Sequence, residues 1–198
     1  MRQVTGSNLT INNKKVSIQV TLGGLSFSAH KATVAEDAES IEIIVDTPRV
    51  TLVPREEVTT ENAAEYLCIA GTPCRSNEQC VCSSLDSEIV AIIAIDSEAL
   101  ASIVEKWGSR ASFASPLSDM RHSDKNCITL DLSKNVCYIH HFDDGLQLAE
   151  ALPYRTADDV LYFVNGASNG HNDIPIYIKG DNDTAKLLRR YYKVVICE

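Results

Sequence analysis

The sequence predicts an α/β protein with mixed sheets, built as two successive halves of the order β-β-β-α-β-α-β. Three observations carry that expectation. From Cys127 onward, three short apolar alternations separated by turn residues are followed by helix, strand, helix and strand signals. Before residue 115 a similar order of signals runs in residues unlike the later ones. Between Ser115 and Asn126 lies a polar stretch with Pro116, several serines and charges of both signs, the composition of a connection between structural units.

In the first half, Val16-Ser-Ile-Gln-Val20 alternates, Gly23-Gly24 tolerates positive φ, and Leu25-Ser-Phe-Ser28 alternates again, which predicts a tight β-hairpin over residues 16–32. Ile41 to Val45 offers a third strand, and Val50-Thr-Leu-Val ends at Pro54, which has no N–H to give a ladder. Residues 60–69 are predicted helical and the Cys-containing stretch 70–79 a loop. Ile89 to Ile95 is a continuous apolar, largely β-branched run, as in a strand buried on both faces. Ser97 is expected to cap a helix whose Leu100, Ile103, Val104 and Trp107 fall at i, i+3, i+4 and i+7, with Gly108 ending it. Ala111 to Ala114 makes a short strand.

The second half reads as a meander. Its strands are Ile128 to Leu132, Val136 to Phe142 and Leu146 to Leu152, with turns at Ser133-Lys-Asn135 and Asp143-Asp-Gly145. Thr156-Ala-Asp-Asp159 has capping-box form, Val160, Leu161 and Val164 supply an apolar stripe, and Gly166 is placed to end that helix. Strand Ile174 to Ile178, helix Asp183 to Tyr192 and strand Lys193 to Cys197 complete it. The expected division is therefore residues 1–115, a connection at 116–126, and residues 127–198.

With 44% hydrophobic and 23% charged residues, the 198-residue chain falls in the ordinary globular class. Its net charge of -9, from 27 acidic and 18 basic residues, repels phosphate backbones and anionic lipid, so nucleic acid is not an expected partner. No apolar run reaches the roughly 20 residues that cross a bilayer, and MRQVTGSNLT lacks a signal's apolar core, which predicts a cytoplasmic protein without membrane insertion. Seven cysteines are an odd number. Cys127, Cys137 and Cys197 lie in apolar strand-like segments, which suits reduced thiols packed as small hydrophobes.

A mixed sheet made of a meander followed by two crossovers is the ribonuclease H-like unit, read here twice in tandem. That duplication resembles the actin-like ATPases. In spacing the chain resembles an uncharacterised bacterial family, the domain-of-unknown-function family 3822, a divergent member of that superfamily. The stretches that carry the resemblance are Ser17-Ile-Gln-Val-Thr-Leu-Gly-Gly-Leu-Ser-Phe-Ser28, Val50-Thr-Leu-Val-Pro54, Ala157-Asp-Asp-Val-Leu-Tyr-Phe-Val164 and Ile174-Pro-Ile-Tyr-Ile-Lys-Gly180. The superfamily includes components of type II secretion and type IV pilus assembly that act through protein contacts, so the resemblance implies a scaffold role with an unknown protein partner.

Working members of that superfamily open each half with Asp-x-Gly-x-Ser/Thr, where glycine lets backbone N–H groups reach phosphate and the carboxylate positions metal-bound water. Here Gly23 and Gly24 have no acid before them, Asp131 is followed by Ser133 in place of glycine and by Asn135 in place of a hydroxyl, and the adenosine-side loop offers Gly180 alone. The expectation is a non-catalytic protein with no metal and no cofactor. The competing reading is a divergent switch that binds ATP with Mg²⁺ through Gly23, Gly24, Asp131, Ser133 and Gly180.

Three other constellations have simpler explanations. Asp131, Asp159 and Asp181 occupy the places of a two-metal nuclease triad, but the second suits a helix cap and the third a turn. Cys74, Cys80 and Cys82 with His140 and His141 offer zinc-ligand chemistry at the wrong spacing, and adjacent strand histidines point to opposite faces. Lys186, Arg189, Arg190 and Lys193, interleaved with Tyr191 and Tyr192, read as a solvated helix face.

Overall fold

From Cys127 the chain follows the predicted order. In the structure, a computed structural model that describes residues 15–21 (as backbone), 39–59, 61–83, 87–123 and 125–198, the second half comprises eight-residue and shorter strands and two helices. In chain order the first half contains β1 (Lys15–Thr21), β2 (Ser40–Asp46), β3 (Val50–Pro54), α1 (Ala63–Ile69), β4 (Glu78–Cys82), β5 (Ile89–Asp96), α2 (Ser97–Trp107) and β6 (Ala111–Ala114). The second contains β7 (Cys127–Leu132), β8 (Val136–Phe142), β9 (Leu146–Pro153), α3 (Ala157–Ala167), β10 (Ile176–Lys179), α4 (Asn182–Leu188) and β11 (Val195–Cys197).

The five strands of the second half lie in the order β11-β10-β7-β8-β9. The meander pairs are antiparallel, while β10 joins β7 and β11 joins β10 in parallel. Helices α3 and α4 are the crossovers that parallel neighbours require. Alternation along β8 sorts its side chains: Cys137 and Ile139 pack with Val160, Val164 and Leu188 beneath the helices, while Val136 and Tyr138 join the core of the first half. Thr156 and Asp159 form the predicted capping box, Asp159 N–H donating to Thr156 Oγ1 at 3.3 Å and Thr156 N–H to Asp159 Oδ2 at 2.9 Å. Gly166 does not end α3; it sits inside a helix that runs to Ala167, and the chain reverses where Asn169 and Gly170 take φ of 50° and 78°. A single helical glycine costs only about 1 kcal/mol, which the buried stripe outweighs.

The first half is organised differently. Strands β1, β2 and β6 form one parallel three-stranded sheet, and β3-β5-β4 form a second, antiparallel one. Gly23, Gly24 and the second arm of the predicted hairpin lie outside the described residues; its first arm, β1, pairs in parallel with β2. Strand β5 is buried on both faces as its apolar run requires. Val90, Ile92 and Ala94 pack on Leu67 of α1, while Ala91, Ile93 and Ile95 pack on Ile41, Ile43 and Trp107. The stretch expected to be a loop to Gln79 already contains the start of β4, whose polar and thiol side chains hid its pairing with β5. The N-cap of α2 is Asp96, which accepts from Glu98 and Ala99 N–H at 3.0 and 3.1 Å; Ser97 is the first helical residue. Gly108 ends the helix at φ 53°.

One core crosses the boundary between the halves. Ile41, Ile43, Val45, Ile93, Ile103 and Trp107 pack in the same cluster as Val136 and Tyr138, with Leu117 of the connection among them. The face of the five-stranded sheet opposite its helices is thereby turned toward the first half. Among the described residues no helix is long and apolar enough to cross a membrane.

Candidate functional site

The carboxyl ends of parallel strands are where open α/β sheets place their ligands. Two such ends meet here. Asp131, near the end of β7, is in register with Lys179 on β10 and Tyr138 on β8. It stands on the central strand of its sheet. Its carboxylate accepts from Lys179 Nζ at 2.6 Å, a contact between neighbouring strands that neutralises it in place.

Asp46, the last residue of β2, comes from the first half and is 3% exposed. Tyr138 donates its hydroxyl to Asp46 Oδ1 at 2.8 Å and accepts from Thr47 N–H at 2.9 Å, so one tyrosine from the second half satisfies two polar groups of the first. Burial, opposed by hydrogen bonds from Ser133 and Tyr138 and assisted by the nearby charge of Asp131, holds the Asp46 carboxyl above its ordinary pKa. Asp46 escaped the sequence reading, although an acid that closes an apolar alternation, as in Ile41-Glu-Ile-Ile-Val-Asp46, is the signal that finds such a strand end. Just beyond it, Arg49 makes a two-pronged pair with Glu78 of β4. Burial alone would raise the Glu78 carboxyl, but those bonds and that charge, with a bond from Arg75 N–H, hold it below its usual value.

Ser133 and Gly180 lie at the same corner as Asp131. Ser133 lies between the β7–β8 turn and Asp46: its N–H donates to Val136 O at 3.0 Å, its hydroxyl is within 3.2 Å of the same carbonyl and also faces the Asp46 carboxyl, and Tyr154 donates to its carbonyl at 2.7 Å. Gly180 takes φ 124°, and a Cβ on it would meet Leu132 O at 2.7 Å and Leu132 Cβ at 2.9 Å. Its lack of a side chain is thus demanded by the packing of β10 on β7. The residue after it, Asp181, caps α4, accepting from Thr184 N–H at 2.9 Å and from Thr184 Oγ1 at 2.7 Å, which lowers its pKa. The first turn of α4 therefore already holds an internal anion.

The connection closes the other side of this face. His140, 2% exposed, donates from Nε2 to Leu117 O at 2.8 Å and accepts at Nδ1 from the Thr129 hydroxyl at 3.0 Å, and its burial keeps it neutral by lowering its pKa. His122 stacks on Tyr177 at 4.3 Å between ring centres and meets Glu198 at 2.6 Å. Between these groups and Asp131 remains a cavity of only about 20 Å³, room for one water-sized molecule.

Asp131, Asp159 and Asp181 do not act together: the first is paired with Lys179 and the other two cap separate helices. Among the described residues no group of three or more His, Cys, Asp or Glu side chains converges where a metal ion would sit. His140 faces the connection and is engaged there, away from the cysteines that pack beside α1.

No protein-family model matches the chain. No curated protein matches it either. Among solved structures it is similar to a protein of Bacteroides thetaiotaomicron VPI-5482 with an actin-like ATPase fold and unknown function, at TM-score 0.73 and 17% identity over 94% of this chain and 91% of that one. It also aligns with the cytoplasmic domain of EpsL, an inner membrane component of the type II secretion system of Vibrio cholerae, at TM-score 0.46 and 11% identity over 83% and 81% of the two chains. A subunit of an AlfA filament bound to AMPPNP aligns at TM-score 0.38 and 14% identity, over 80% of this chain and 52% of its own. The first likeness shows the fold: the chain is a mixed α/β protein with an actin-like ATPase fold.

Proposed function

We propose that this chain is a non-catalytic scaffold or protein-interaction protein built on the actin-like fold, a bacterial cytoplasmic relative of the domain-of-unknown-function family 3822. In this reading residues 1–115 and 127–198 are two ribonuclease H-like units joined by 116–126. The observation that carries the proposal is the ion pair between Lys179 and Asp131. A carboxylate that is to hold Mg²⁺ and orient water must present free oxygen lone pairs to the cleft, and a lysine 2.6 Å away on the adjoining strand takes that place. Two further arrangements support it. Ser133 is engaged by its own turn and by the Asp46 carboxyl, and Asp181 already fills the end of α4 at which a phosphate would settle.

The competing reading, a divergent ATP-binding switch, draws support from the convergence of Asp131, Ser133 and Gly180 at the carboxyl ends of parallel strands. Mg-ATP binding and phosphate release, both measured on the purified full chain, separate the two. The scaffold reading expects release at the buffer background and a stoichiometric protein complex recovered with the tagged chain. Metal-dependent turnover that disappears in Asp131→Ala would overturn it.

A further inference from the structure

The corner between α1 and β4 gathers thiols. Cys80 and Cys82, two apart on β4, point to the same face, and both pack with Cys74 of the preceding loop against the core of Leu67, Val90 and Ile92. The chain returns through a turn in which Glu78 N–H donates to Arg75 O at 3.0 Å. That return sets the Cys74 and Cys80 side chains together on this one cluster. All three are free thiols. Cys82 is the poorer partner for Cys80, because residues i and i+2 of one strand project in parallel from Cα atoms about 6.6 Å apart, at the upper limit for a disulfide.

We infer that Cys74 and Cys80 form a reversible intramolecular disulfide when the folded protein meets a disulfide oxidant such as glutathione disulfide. Cys74, at the loop side of the pair, attacks first: its thiolate displaces one glutathione thiolate and leaves a mixed disulfide. Cys80 then attacks the Cys74 sulfur and expels the second glutathione. Two protein thiols are oxidised, one glutathione disulfide is reduced, and the two thiol protons end on the two glutathiones. Burial, with neighbouring thiols, pushes Cys80 up to about 12, and burial with the Glu78 carboxylate raises Cys74, so both rest protonated and the exchange is slow at neutral pH. The bond would tie the loop to β4 two residues from Glu78, whose carboxylate anchors Arg49 beside the junction of the halves.

The test is incubation of the full chain with glutathione disulfide, quenching by alkylation, and mass mapping after trypsin, which cuts at Arg75 and leaves residues 56–75, with Cys68 and Cys74, linked to residues 76–106, with Cys80 and Cys82; fragmentation of the linked pair then assigns the bonded sulfurs. The expected product is the Cys74–Cys80 linkage, reversed by excess reduced glutathione and formed about tenfold faster at pH 8 than at pH 7. Cys80→Ser should stop at a glutathione adduct on Cys74, and Cys82→Ser should leave the linkage unchanged. A stable adduct on Cys74 in the unmutated chain, or linkage through Cys68 or Cys82 or between chains through the exposed Cys197, would overturn the inference, and that fragment map needs no variant to fold.

Discussion

Asp46 places a carboxyl group among apolar side chains at the end of β2, with the Tyr138 hydroxyl as its close donor. Because its pKa is raised in the folded chain, the native state holds this proton at pH values where the unfolded chain has released it. Stability from this group is therefore present below the ordinary carboxyl range near about 3.9 and is lost as pH rises through the native value. An asparagine there keeps an acceptor for Tyr138 and has no proton to lose. Asp46→Asn should match the parent near pH 4 and be at least as stable at pH 7, read as thermal midpoints across that range; a variant clearly weaker at pH 7 would show that the ionised carboxylate is the stabilising form. At this scale the sequence was half legible. Asp131 declared itself through the phosphate-loop pattern, whereas Asp46 and its tyrosine, 92 positions apart, form a site only through the fold.

The elements most readily read from the sequence are those whose burial is one-sided in pattern or complete. Strand β5 is legible because all six residues from Val90 to Ile95 are apolar, and the capping box of α3 because its hydroxyl and acid are three positions apart. Strand β4 was hidden by its composition, since Glu78 and Gln79 look like a loop until β5 supplies their ladder and Arg49 their counter-charge. Gly180 shows the same gap from the other side. The sequence offers it as a nucleotide-loop glycine, and the structure gives it a packing reason, the close approach to Leu132 at positive φ. Gly180→Ala should destabilise the chain by roughly 1–3 kcal/mol in urea unfolding through backbone strain and displacement of β10 from β7. An alanine there that unfolds like the parent would return this glycine to a binding role.

For the whole molecule, the order of the described elements was readable except for β4, and their partition into sheets was not. The second half closes on itself through local turns and two crossovers, so its five-stranded sheet follows from sequence order. In the first half, whether strands share a sheet depends on parallel pairing of β1 with β2 and of β2 with β6 over long separations, which no local pattern encodes. The shared core and the Tyr138 link then fix the helix-free side of the sheet against the first half, with Asp131 bound to Lys179 and, among the described residues, a cavity of about 20 Å³ beside it. The most direct test of that account is calorimetric titration of the full chain with Mg-ATP, repeated with Asp131→Ala. The account predicts no saturable heat and no thermal stabilisation up to millimolar nucleotide in either protein; saturable binding by the parent that is lost in the variant would contradict it.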